Sequence, residues 1–297
     1  MSMSPTHDKF EIFFASLSAN VEKIKDILTF DITKENNELC QYTKLDTLKF
    51  WVKGYDCDGG TLNPTFRLSN VIDLNDTSEG RVCIDFLNCC SPMPIFDYIF
   101  SNSRERYKPH KVVLCDTYIG SFSTAKDAHS MWKDYGDKSK GCCVVFDNEF
   151  FHNLKLYRVH YIDRWYLDPI GAKDCDSEIK EIIKRIAESI VRQYENLCSE
   201  PFLLEKVISI VNEIRFLFKT DEWDDENEVR LFIKADDKNI PYVNIINNVP
   251  KSFVNVSNPI AIKEIMLGVK VDKYENHAQH LLRCGIPKVY LSASTFK

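Results

Sequence analysis

Apolar positions recur at helical spacing near the start of the chain. Phe10, Phe13, Phe14, Leu17, Val21, Ile24 and Leu28 fall on one stripe, which predicts an amphipathic helix over residues 8–29, laid on the body or on a partner. Polar "TKENNE" (33–38) follows, and the pattern then shortens. "LCQYT" (39–43) reads as a strand and "KLDTLKFWVKG" (44–54) as a helix closed by Gly54. "TFRLSNVIDLNDTSEG" reads as a strand running into a polar loop. Residues 111–123, "KGCCVVF" and "LKLYRVHY" are three further strands. Ala128, Met131, Trp132 and Tyr135 stand at i, i+3, i+4 and i+7, a short helix that stops at Gly136. Residues 176–218 carry two longer helical stripes, Ile179 to Tyr194 and Leu203 to Ile214, forming a helical hairpin. "EVRLFIKA", "YVNII", "SFVNV", "KEIMLG" and "KVYLSA" are strand-like, with a helix near 272–283.

Strands mostly do not alternate with helices, so the reading is α+β, with mixed or antiparallel sheets and helices outside. We read residues 1–36 as an N-terminal helical extension and 37–297 as an α+β domain with a helical insertion at about 176–219. The stretches 8–29 and 176–218 are candidate surfaces for a partner or for homo-oligomerisation.

Of 297 residues, 44% are hydrophobic, enough for a substantial core. The net charge of −6 gives no sequence-independent grip on nucleic acid. The eleven cysteines include the adjacent pairs Cys89-Cys90 and Cys142-Cys143, with no C-x-x-C spacing. On a strand, such neighbours face opposite ways and read as small buried apolar groups in a reducing compartment. Asp8 and Glu11 stand where a signal peptide needs cations, and no apolar run is long enough to span a bilayer. The expectation is a cytoplasmic protein with no membrane association.

"GDKSKG" (136–141) is not a phosphate loop, because Cys142 follows Gly141 and a helix precedes the motif. His277 and His280 share a helix face without further ligands, and "DCDGG" lacks the later positions of a calcium loop. We expect no metal. Three clusters carry more chemistry. Ser121 and Ser123 are two apart on a strand, so their hydroxyls share a face and either cap a helix or orient a ligand. Six of the eight residues from Asp221 to Glu228 are acidic, and the run enters "VRLF". If that strand begins early, Glu226, Glu228 and Arg230 point one way, and two such acids repel unless a cation, a proton or a hydroxyl-rich ligand lies between them. The alternative is a solvated loop with Arg230 paired to a neighbour. Asn75, Asp76 and Glu79 form a polar loop that is either a turn or the rim of a pocket.

In combination these segments resemble the bacterial domain-of-unknown-function family numbered 2971. Its pattern maps onto Tyr42; Asn75, Asp76 and Glu79; Ser121-Phe122-Ser123; Met131, Trp132, Tyr135 and Gly141; and Glu226, Glu228 and Arg230. The resemblance covers about residues 39–270, and the Met-Trp-x-x-Tyr-to-Gly segment is its most specific part. The order of a polar strand, a Ser-x-Ser strand and a Glu-x-Glu strand is also similar to the ADP-ribosyltransferase superfamily and its split sandwich. That superfamily's first strand offers Arg or His to NAD, where this chain has Gln41 and Tyr42. The resemblance implies an enzyme that uses NAD to modify a protein or nucleic-acid acceptor, or hydrolyses it, in bacterial conflict or phage defence. Glu228 would stabilise the oxocarbenium-like cation, Glu226 would orient or deprotonate the nucleophile, and Ser121 or Ser123 would orient Glu228. Tyr42, Trp132 or Tyr135 would stack on nicotinamide, and Arg230 would contact phosphate or neutralise Asp76 or Glu79. Gln41, Asn75, Asp76 and Glu79 would complete the NAD site. Two alternatives stay open: a binding module that senses a nucleotide or peptide without chemistry, and a metal-dependent hydrolase or nuclease built on Asp76, Glu79, Glu226 and Glu228.

Overall fold

The computed structural model describes residues 5–35, 37–55, 63–73, 80–105, 117–163, 177–235, 240–246 and 248–294. In chain order the helices are α1 (Pro5–Leu28), α2 (Leu48–Trp51), α3 (Arg81–Cys89), α4 (Phe96–Glu105), α5 (His129–Asp134), α6 (Ser177–Arg192), α7 (Tyr194–Ser199), α8 (Pro201–Arg215) and α9 (Tyr274–Arg283). The strands are β1 (Cys40–Thr43), β2 (Arg67–Asn70), β3 (Thr117–Ser123), β4 (Cys142–Phe146), β5 (Leu156–Arg158), β6 (His160–Ile162), β7 (Phe218–Thr220), β8 (Glu228–Lys234), β9 (Tyr242–Ile246), β10 (Val249–Asn255), β11 (Ile262–Leu267) and β12 (Val289–Leu291). The fold is α+β, as the pattern implied. No described helix is long and apolar enough to cross a membrane.

The chain divides into two compact units. One comprises Met1–Thr29, Leu74–Thr117 and Val159–Trp223. Its α1 packs on α6 and α8. The apolar stripe of α1 is the buried face, with Leu17 and Ile24 fully enclosed, and Ile182, Ile183 and Ile186 of α6 and Val207, Val211 and Ile214 of α8 are buried alike. Lys25 joins Glu213 at 3.0 Å. The sequence pattern had assigned no element to 81–105, yet α3 and α4 lie there and pack on each other. The predicted strand "LKLYRVHY" is two strands, β5 and β6. Within the helical unit β6 runs parallel to β7.

The other unit comprises Phe30–Asp73, Tyr118–Arg158 and Asp224–Lys297. Its sheet runs β12-β11-β4-β1-β3-β2-β10-β9, with β8 pairing both β3 and β5. The pairs β1–β3, β1–β4, β2–β3, β2–β10, β4–β11, β5–β8 and β9–β10 are antiparallel, and β11 runs parallel to β12. One face holds the main core, where Phe66, Phe122, Phe146, Phe150 and Phe151 meet Trp51. The opposite face of β1, β4 and β11 holds a smaller cluster of Cys40, Tyr42, Met131, Trp132, Cys143, Val145 and Met266. Adjacent Cys142 and Cys143 separate onto the two clusters, as strand alternation requires. Burial pushes both thiols well above the ordinary range, so they stay protonated and packed.

Candidate functional site

All site residues described in the structure lie in the sheet-bearing unit. Asn75, Asp76 and Glu79 lie outside the described residues.

The strand β3 sets the geometry. Tyr118 and Phe122 enter the main core, so Ser121 and Ser123 face the other side. Ser123 pairs with Cys40 of β1 and is buried. Its hydroxyl donates to the Glu226 carbonyl at 2.6 Å and accepts from the Ala125 amide at 2.9 Å. It therefore ties the turn after β3 to the approach to β8. Ser121 is half-buried.

Strand β8 begins at Glu228, not earlier. Asp221–Glu226 is a 3₁₀ turn, and Asn227, with φ of +43°, carries the backbone from turn to strand. Glu226 is thus placed by the turn. Although five neighbours in that turn are exposed, Glu226 is 5% exposed and Glu228 6%. Val229 and Leu231 fill the main core, which sends Glu228 and Arg230 to the opposite face. Arg230, 1% exposed, grips Glu228 with both arms of its guanidinium, Nε to Oε1 at 2.7 Å and Nη2 to Oε2 at 3.0 Å. Such a bidentate pair satisfies the geometry of both groups. The Tyr135 hydroxyl donates to Glu226 Oε1 at 2.5 Å, and its ring is 43% exposed.

Tyr42 and Trp132 complete the wall. The Tyr42 hydroxyl donates to the Ala125 carbonyl at 2.8 Å and accepts from the Ala128 amide at 2.9 Å. Burial drives its pKa far above the ordinary phenol. Trp132 is fully enclosed, edge-on to Tyr42 at 5.1 Å, with Nε1 donating to Asp127 Oδ1 at 2.7 Å. Gln41 belongs to the other face of β1: its cross-strand partner Val144 lies in the main core. The Gln41 Oε1 is buried without a hydrogen bond. The fold therefore gathers Tyr42, Ser123, Tyr135 and Glu226 around the turn after β3, sets Glu228 and Arg230 two positions along, and turns Gln41 away.

Two features carried no signal in the sequence. Asp127, in the left-handed region at φ +59°, also accepts from Ser292 Oγ and from the Ala293 amide at 3.0 Å, fastening the turn to the end of the chain. Beside it Lys126 pairs with Glu264, and Lys288 at 2.9 Å and the Tyr290 hydroxyl at 2.8 Å join the same carboxylate. Burial alone would raise the Glu264 pKa, but these three partners outweigh it and hold it at about 2. Single charges scattered over 160 residues show no spacing to detect.

His277 Nδ1 lies 3.1 Å from the Tyr55 hydroxyl, and His280 is next to Cys284. No group of three or more His, Cys, Asp or Glu side chains among the described residues is arranged to hold a metal ion.

With this geometry in place, a comparison with known families bears on the site. Residues 131–231 match the family model "Protein of unknown function (DUF2971)". The DUF2971 match opens at α5 and closes inside β8, so it takes in Trp132, Tyr135, Glu226, Glu228 and Arg230. No curated protein and no solved structure matches the chain.

Proposed function

We propose that this protein binds NAD against the face formed by β3 and the start of β8, and transfers its ADP-ribose to a macromolecule or to water. The observation that carries the reading is the burial of two carboxylates, Glu226 and Glu228, beside the hydroxyl-bearing face of β3. Arg230 offsets the burial of Glu228 and the Tyr135 hydroxyl that of Glu226, and ionisable groups drawn together onto a buried face from an otherwise exposed acidic turn are where chemistry concentrates.

In the proposed reaction the bond between nicotinamide and ribose breaks and its electrons neutralise the nicotinamide ring. Glu228 stabilises the cation left on the sugar. The nucleophile bonds to the same carbon and passes its proton to Glu226, whose carboxylate Tyr135 positions. Arg230 must release one oxygen of Glu228 as the sugar enters. Bacterial conflict or phage defence is the setting we infer.

The closed Glu228–Arg230 pair favours a second reading, a module that binds a nucleotide without turnover. One experiment separates the two. Purified protein is incubated with NAD, and nicotinamide release and thermal shift are both measured. Release that falls about a hundredfold or more in Glu228→Gln supports the enzyme. A thermal shift without release supports the binding module. The absence of both removes NAD from the account.

A further inference from the structure

The sheet ends at β9, whose outer edge pairs with no other described strand. Its neighbour β10 shows what that edge offers. Val243 stands opposite Ser252 and Ile245 opposite Pro250. The Ser252 amide donates to Asp73 Oδ2 at 2.7 Å, away from β9, and Pro250 has no N–H to give. Both are therefore non-hydrogen-bonded pairs of the β9–β10 hairpin, so the N–H and C=O groups of Val243 and Ile245 point outward from the sheet.

Edge strands are ordinarily guarded by charge, by a bulge or by proline. Residues 240–250 contain no charged side chain, and Pro241 blocks pairing only ahead of the strand. Of the fourteen large hydrophobic side chains exposed among the described residues, five are Ile240, Val243, Ile245, Ile246 and Val249. The apolar surface here is thus a patch rather than scatter. Val243 and Ile245, 62% and 76% exposed, share one face of it.

The order of residues along the edge selects its occupant. Consider a second β9 laid antiparallel on the first, with a two-fold axis at Asn244. Val243 then meets Ile245 of the second copy, Asn244 meets its own mate, and Tyr242 meets Ile246. The outward groups of Val243 and Ile245 make four N–H···O bonds across the join. Apolar groups oppose apolar ones on both faces, and no like charges face each other. Centring the axis on Val243 instead opposes Pro241, which has no N–H, to Ile245. Centring it on Ile245 opposes Asn244 to Ile246. A lone foreign strand added here would leave its own far edge open, whereas the two-fold pair closes both edges at once.

We propose that two copies of this chain associate through β9, joining their sheets across a two-fold axis at Asn244. The interface shares no residue with the NAD site and stands whether or not that reading holds.

Sedimentation equilibrium of the full chain from about 1 to about 200 µM tests this, a range suited to a contact smaller than a standard interface. The weight-average mass climbs from one chain towards two. Val243→Lys and Ile245→Lys each weaken dimerisation at least about tenfold, by setting a charge in a neutral strand pair. Both positions are exposed, so both variants keep the wild-type circular dichroism. In Asn244→Cys, mild oxidation links two chains at the axis, because a non-hydrogen-bonded antiparallel pair holds its Cα atoms about 4.5 Å apart, within reach of a disulfide. The parent chain, whose exposed Cys89 and Cys198 report chance cross-linking, gives far less covalent dimer. A chain that stays monomeric to about 200 µM overturns the proposal. So does a dimer that both lysine variants leave intact, or an Asn244→Cys yield no greater than the parent's.

Discussion

Ser121 and Ser123 look equivalent in the sequence, two hydroxyls on one strand face, and the structure separates them. Ser123 joins a carbonyl to an amide across a sealed turn, whereas Ser121 is half-buried. Ser123→Ala leaves two backbone groups without their partner and loses about 1–3 kcal/mol in a denaturant titration. Ser121→Ala stays within about 0.5 kcal/mol. Alternation therefore gives the face of a strand residue correctly, but not which hydroxyl the turn consumes, because that depends on Glu226 about a hundred positions later. Glu264 illustrates the same limit and carries a pH signature. Its folded-state pKa of about 2 lies below the ordinary value of about 4.3. A depressed carboxyl contributes stability that is fully present above the unfolded pKa and lost as pH falls through the folded one. Thermal melts across pH 5 to 2 should show that decline, and Glu264→Gln should flatten it.

At the scale of elements, the strongly periodic segments were legible. The helices α1, α6 and α8 and the strands β1, β4, β8 and β11 all fall where period 3.6 or period 2 marks them. The losses are physical. Arg81–Cys89 is only nine residues long and starts at Gly80 with no side-chain cap, so neither length nor a capping residue marks it. Residues 156–162 form two strands because β5 pairs with β8 while β6 pairs with β7, a change of partner that leaves the alternation intact. The "GDKSKG" segment is a turn of an unusual kind: Asp137, Lys138 and Ser139 all have positive φ, at 50°, 54° and 68°. Consecutive left-handed residues other than glycine are strained, and the turn is held by its surroundings. The Gly141 amide donates to the Gly136 carbonyl, the Gly141 carbonyl accepts from the Gly268 amide, and the Lys270 amide reaches the Ser139 carbonyl. A methyl group at Gly141 would run into the Thr43 carbonyl. Gly141→Ala should therefore cost about 1–3 kcal/mol by displacing β4 from β1, measurable as a lower denaturation midpoint with an unchanged slope.

On the scale of the molecule, the pattern supplied the class but not the partners. Periodicity identifies α1 and the helices after residue 176 as amphipathic. That they share one core with α3 and α4 is a matter of long-range pairing that a single sequence does not display. The chain passes between its two units at five points, after Thr29, Asp73, Thr117, Arg158 and Trp223. Neither unit is a continuous stretch, so no single truncation of the gene encodes one of them alone, and a cut at any of the three inner crossings divides both cores at once. Anyone wishing to crystallise or assay one half must excise the intervening segments and join its three pieces with new linkers. For the same reason, a frameshift just after Trp223 removes five of the ten strands of the sheet, β8 to β12, and nothing that the helical half contains.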